Sequence, residues 1–139
     1  MARMTAQMPR GIDRRALLAA AVSYLSGMKL AHAAQKQVYS SVEFRAALAS
    51  GRPVLVEVTA SWCPTCRLQT QAVGIAINQA RFARFTTFVA DIDKHREALV
   101  TLGVSVQSTL IVYINGQEIA RSIGEAKRDR IESLMARAL

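Results

Sequence analysis

Cys63 and Cys66 are the only two cysteines in a chain of 139 residues. They stand in the segment Ala60-Ser61-Trp62-Cys63-Pro64-Thr65-Cys66, two residues apart. Thiols at that spacing suit disulfide exchange, in which one thiolate attacks a disulfide and a second thiol releases the mixed disulfide that results. If a helix starts at this point, both sulfurs share its first turn and one of them sits at the exposed end. A helix N-terminus carries roughly half a positive charge and unpaired N–H groups, which favour a thiolate. Pro64 fits the first helical position, where the N–H it lacks would have had no partner. Trp62 is expected to shield one side of the pair.

Other uses of the same cysteines fit less well. A zinc site needs about four ligands, and beyond residue 33 only His95 joins the two thiols as a nitrogen or sulfur donor. A structural disulfide would close a very short loop and so add little loop-closure entropy. Stapling bridges usually join distant segments. The redox pair is the reading that uses every residue of the segment.

The elements that must hold this pair are legible on both sides of it. Val54-Leu55-Val56-Glu57-Val58-Thr59 is β-branched and almost wholly apolar, as a central strand buried on both faces should be. From Cys63 to about Ala80 helix formers dominate, although Gly74 and Asn78 weaken the later turns. Upstream, Ser41 to Leu48 reads as a capped helix stopped by Gly51. Downstream come a buried strand over Thr86–Ile92 and a short helix over Lys94–Leu102 closed by Gly103. Thr109–Ile114 and Glu118–Ile123 flank Asn115-Gly116, the strongest short hairpin signal. The chain ends in an amphipathic helix over Glu125–Leu139, with Ile131, Leu134, Met135 and Ala138 on one side. Repeats, low-complexity tracts and internal linkers are absent from the sequence. The expectation is one α/β domain over residues 34–139.

Residues 1–33 read as an export signal. A basic stretch ends in Arg14-Arg15, an apolar run spans Ala16 to Met28, and Ala31-His32-Ala33 supplies an A-x-A cleavage signal before Ala34. As a helix, that run of about 13 residues would cover about 20 Å of a hydrocarbon core about 30 Å thick, too little for a stable span. Arg14-Arg15 followed by Ala16-Leu17-Leu18 resembles a bacterial twin-arginine signal, with Asp13 where Ser or Thr is usual. The expected destination is the periplasm. The alternatives are an uncleaved anchor holding the domain at the membrane, facing the periplasm, and an N-terminal amphipathic helix packed on the domain. The formal charge of +8 shrinks accordingly: five of 18 Lys and Arg and one of 10 acids lie in this segment, leaving 13 against 9, or +4. Lys127-Arg128-Asp129-Arg130 is broken by an acid and reads as a solvated helix face. No nucleic-acid partner is expected.

The order of these landmarks resembles the thioredoxin superfamily: Val54-Leu55-Val56-Glu57, Trp62-Cys63-Pro64-Thr65-Cys66, Gly103-Val104, Thr109-Leu110, Asn115-Gly116 and Gly124. The likeness covers Val38 to Leu139. It is strongest to periplasmic thioredoxin-like reductases and to the thioredoxin domain of transmembrane thiol:disulfide interchange proteins. The resemblance implies a central mixed sheet flanked by helices, with Cys63 as attacking thiolate and Cys66 as resolving thiol. It implies that Glu57 relays a proton to or from Cys66. An acid inside an apolar strand is costly unless it is functional, the alternative being an edge-facing carboxylate that reaches solvent. The lysine that the family often carries on the next strand is replaced by Val89, so a less assisted relay is expected.

Trp62, Pro64, Thr65, Gln107, Ser108 and Thr109 are implied to line the partner-binding surface. Ser108 stands where the family has a cis-proline, and a cis bond before a non-proline costs about 2.5–4 kcal/mol, so a trans bond is expected. Either the loop is remodelled, with a hydroxyl near Cys63, or the serine is simply tolerated.

No charge lies between the cysteines and Glu57 disfavours a nearby thiolate, which points to a reductase rather than an oxidase or isomerase. The implied partners are disulfide-bearing or dithiol proteins and a membrane thiol relay as electron donor. The chain is expected to act as a monomer with no cofactor beyond its own sulfurs. The rival functions are a non-catalytic binding module on the same fold and a metal or iron–sulfur carrier using both cysteines.

Overall fold

Lys36–Val38 (β1) is the first element of the computed structural model, which describes residues 36–139. The expected export segment and its cleavage point lie outside the described residues. Ser41–Ala49 (α1) follows, its first turn capped by Ser40 Oγ, which accepts from the Glu43 amide. Val54–Thr59 (β2) leads into Pro64–Ile77 (α2), a 3₁₀ turn over Ala80–Phe82, and Thr86–Asp91 (β3). Arg96–Leu102 (α3), the hairpin Thr109–Ile114 (β4) and Gln117–Ile123 (β5), and Arg128–Ala136 (α4) complete the fold.

The five strands form one sheet in the order β1-β3-β2-β4-β5. β1, β3 and β2 run parallel, while β4 is antiparallel to β2 and β5 to β4. β2 is therefore interior, and its five residues Val54 to Val58 are buried. Alternate side chains go to opposite faces. Leu55, Leu110 and Val112 pack with Val73, Ala76 and Ile77 of α2 and with Ile131 and Met135 of α4. On the other face Val54, Val56, Val58, Phe88 and Ile111 meet Phe44 of α1 and Ala98 and Leu102 of α3. A mixed sheet flanked by four helices is the α/β architecture expected from the sequence.

The differences are local. β1 carries no sequence signal, because three mostly polar residues are too few for a period to show. α2 stops at Ile77 rather than near Ala80, with Asn78 as its C-cap. α4 begins at Arg128 rather than Glu125, because Glu125 Oε1 accepts from the Lys127 amide at 2.9 Å and turns the approach outside the helix. The hairpin forms at Asn115 and Gly116 with φ of 51° and 76°, as a two-residue primed turn requires. Among the described residues, no helix is long and apolar enough to cross a membrane.

Candidate active site

The C-terminal end of β2 hands the chain to α2 through Ala60, Ser61 and Trp62, and the two cysteines occupy the start of that helix. Cys63 is the N-cap, with an extended backbone, and Pro64 follows in the first turn. Cys63 Sγ accepts from the Cys66 amide at 3.1 Å, so a sulfur fills the place that a serine or aspartate oxygen takes at other helix starts. An acceptor aimed at a helix N-terminal amide suits a thiolate. The two cysteines are unbonded to each other.

Cys66 differs from its neighbour. Burial pushes its thiol above its ordinary pKa, and the hydrogen bond with Cys63 adds to the rise, against smaller opposing contacts from the Ala60 backbone and the Thr59 side chain. It therefore stays protonated at neutral pH. The expected exposed sulfur is corrected here: Cys63 is 4% accessible and Cys66 1%. The N-cap geometry turns the Cys63 side chain over the first turn instead of out into solvent. A partner must come close to the strand end to meet it.

Trp62 is 59% exposed, and its Nε1 donates to Asp93 Oδ2 at 2.9 Å. This bond ties the turn before the cysteines to the loop between β3 and α3. Pro64 and Thr65 are exposed, so the segment between the sulfurs faces solvent.

Glu57 is fully buried, which removes the solvent-reaching alternative. Its Oε2 accepts from Lys36 Nζ at 2.8 Å and its Oε1 accepts from the Thr70 hydroxyl. The same Lys36 Nζ donates to the Thr70 carbonyl at 2.9 Å. The carboxylate thus has a lysine partner after all, from a different strand than the one expected to supply it. Val89 does stand beside Glu57 in register on β3, but β1 lies next outward in the sheet and delivers a lysine from there. Nothing in the sequence near Lys36 announces that role, since it depends on a strand too short to read.

Ser108 is 4% accessible and has a φ of +60°. Its preceding bond is trans, as expected, because no peptide bond among the described residues is cis. A φ of +60° is closed to proline, whose ring fixes φ near about −65°. The loop is therefore remodelled rather than a proline loop with one side chain exchanged. Ser108 Oγ is buried and has no hydrogen-bond partner. Its carbonyl instead accepts from Gln69 Nε2 at 3.1 Å and from the Gly124 amide at 2.8 Å. Gln69 also donates to the Glu125 carbonyl at 2.7 Å, so one buried side chain of α2 holds the loops on both sides of the hairpin. A polar residue three positions after Cys66, on the inward row of the helix, was the signal that could have found it. Thr109 is buried with its hydroxyl donated to the Val106 carbonyl, and Gln107 is half-buried. Among the described residues no group of three or more His, Cys, Asp or Glu gathers as metal ligands would.

Residues 35–137 match the thioredoxin family profile. The chain belongs to the thioredoxin family. It is 31% identical to a thioredoxin of Chlamydia muridarum (strain MoPn / Nigg) over 101 residues, 73% of this chain and 96% of that one. Among solved structures it is similar to Trxlp from Edwardsiella tarda EIB202, at 40% identity and a TM-score of 0.71, covering 73% of this chain and 98% of the other. Thioredoxin O2 from Arabidopsis thaliana matches at 28% identity and a TM-score of 0.63, over 75% and 94%. The fold is thioredoxin-like, as the order of sequence landmarks implied. Thioredoxins are thiol–disulfide oxidoreductases that act on disulfide-bearing proteins, and this chain is an enzyme of that kind.

Proposed function

We propose that the chain is an exported protein-disulfide reductase in which Cys63 attacks and Cys66 resolves. The observation that carries this reading is the unequal state of the two sulfurs: Cys63 Sγ faces a helix N-terminal amide, while Cys66 is held as a thiol by burial. The Cys63 thiolate attacks one sulfur of a substrate disulfide and expels the other as a thiol. Cys66 then loses its proton to Glu57, attacks Cys63 Sγ, and releases the second substrate thiol, leaving a Cys63–Cys66 disulfide. Two electrons have moved from the dithiol to the substrate, so an external dithiol must reduce the pair for the next cycle. A membrane thiol relay suits that role if the chain is exported.

Trp62, Pro64, Thr65 and the loop Gln107-Ser108-Thr109 form the partner surface in this reading, with the left-handed Ser108 setting its shape. Export with cleavage near Ala33/Ala34 rests on the sequence pattern of residues 1–33 alone. The test is turnover of a protein disulfide such as insulin by the reduced chain. Cys63→Ser should fall to background, and Cys66→Ser should accumulate a mixed disulfide with substrate. A wild-type chain that turns over no protein disulfide, or a Cys66→Ser variant that captures nothing, contradicts the proposal.

A further inference from the structure

Gln69 is fully buried on α2, in the inward row of Cys66, Gln69, Val73 and Ala76. Val73 and Ala76 pack into the core, and Cys66 carries the resolving sulfur. An apolar residue would fill the remaining place without a polar group to satisfy. The Gln69 amide instead uses its Nε2 twice, donating to the Ser108 carbonyl at 3.1 Å and to the Glu125 carbonyl at 2.7 Å. Its Oε1 is buried with no hydrogen-bond partner, as is the Ser108 Oγ. A side chain that makes two bonds and leaves a buried atom unpaired contributes little net stability. What it fixes is position.

Both carbonyls lie at the cysteine end of the sheet. Thr109 pairs with Val58 of β2 and with Ile123 of β5, so Ser108 and Gly124, one residue beyond each strand, stand beside the turn that leads to Cys63. The Gly124 amide also donates to the Ser108 carbonyl, at 2.8 Å. One carbonyl oxygen thus takes two donors, and through it the segments before β4 and after β5 are joined to each other and to α2. Ser108 and Gly124 both have left-handed backbones, with φ of 60° and 72°. Glycine adopts that region readily, whereas serine is held there by its surroundings.

We infer that Gln69 is a specificity-determining positioning residue, whose amide holds the Ser108 and Glu125 loops at the spacing a protein substrate must match. The inference rests on the reductase reading, with the Gln107-Ser108-Thr109 loop as partner surface. Gln69 acts through Ser108 and takes no part in the exchange itself. Without its donors Ser108 is free to relax to negative φ, which swings its carbonyl and reshapes the loop. A small disulfide needs only a path to Cys63 and is indifferent to that change. A protein disulfide must bring its flanking chain past the loop, and is not.

Gln69→Leu and Gln69→Met remove the donors at nearly constant volume and with different shapes, so an effect common to both belongs to the lost bonds. The reduced chain is mixed with insulin or with a small aryl disulfide, and the rate of exchange is followed against substrate concentration. In both variants the half-saturating insulin concentration should rise about tenfold, as it does when about a tenth of the chains hold the docking shape. The limiting rate with insulin and the rate with the aryl disulfide should stay within about twofold of wild type. The Gly124 amide should exchange with deuterium faster, while the amides of β2 keep their wild-type protection. In the wild-type chain, the Gln69 side-chain amide protons should exchange more slowly than those of the exposed Gln71.

Wild-type half-saturation in both folded variants overturns the inference, and so does an equal slowing with insulin and with the aryl disulfide. Gln69 side-chain protons that exchange as fast as those of Gln71 overturn it without any variant. A wild-type chain that reduces the aryl disulfide but not insulin fails at the reductase reading instead.

Discussion

The cysteine turn and the layer around it are built in opposite ways. Trp62, Cys63, Pro64 and Cys66 are neighbours in the chain, and the contact that defines their geometry spans three residues. The buried Glu57 carboxylate is held instead by Thr70, 13 residues away, and Lys36, 21 residues away. The Ser108 loop is held by Gln69 across 39 residues. The difference is that a cysteine pair can be specified by a short motif, whereas the contacts of a buried carboxylate and of a distant loop depend on strand order and on which elements pack together.

Breaking the distant half is expected to cost stability more than any change on the partner surface. Glu57→Ala leaves the Lys36 ammonium without its partner and opens a hole in a fully buried position. Loss of one member of a buried ion pair typically costs about 3–5 kcal/mol. With the Lys36 side chain 21% exposed and able to turn to solvent, about 3 kcal/mol is expected in chemical denaturation, partly recovered by adding Lys36→Ala. A loss below about 0.5 kcal/mol would mean that the pair is an ordinary surface contact. That result would erase the contrast.

A smaller effect sharpens it. Ser108 holds a left-handed conformation that costs a non-glycine residue about 1–2 kcal/mol and leaves a buried hydroxyl unpaired. Ser108→Gly relieves both and loses some ground to the greater freedom of the unfolded chain. A net gain of about 1 kcal/mol in stability is expected, together with altered capture of protein substrates. A destabilised variant would show that the serine side chain supports the loop after all.

The same contrast explains what the sequence could convey. β2, β3, the β4–β5 hairpin and the cysteine-bearing helix were legible because each is written in consecutive residues: apolar β-branched runs, Asn115-Gly116, and Cys63-Pro64 at a strand end. Glu57 was legible as an acid out of place in an apolar strand. Lys36 was not, since its role exists only once β1 has paired with β3 and brought the ammonium over the sheet. The left-handed turn at Ser108 was half legible. The missing proline signalled a changed loop, but the direction of the hydroxyl depends on the hold that Gln69 and Gly124 exert on the backbone.

The central claim is that the two sulfurs are chemically unequal, one the nucleophile and the other a buried thiol in reserve. Alkylation of the reduced chain with iodoacetamide, followed by mass spectrometry of the modified cysteines across pH, tests it directly. Cys63 should be modified at neutral pH. Cys66 should remain protected until the pH passes its ordinary value of 9.0, because burial raises its pKa above that point. Modification of Cys66 at neutral pH as fast as Cys63, or a Cys63 that stays unmodified while the fold is intact, would contradict the account.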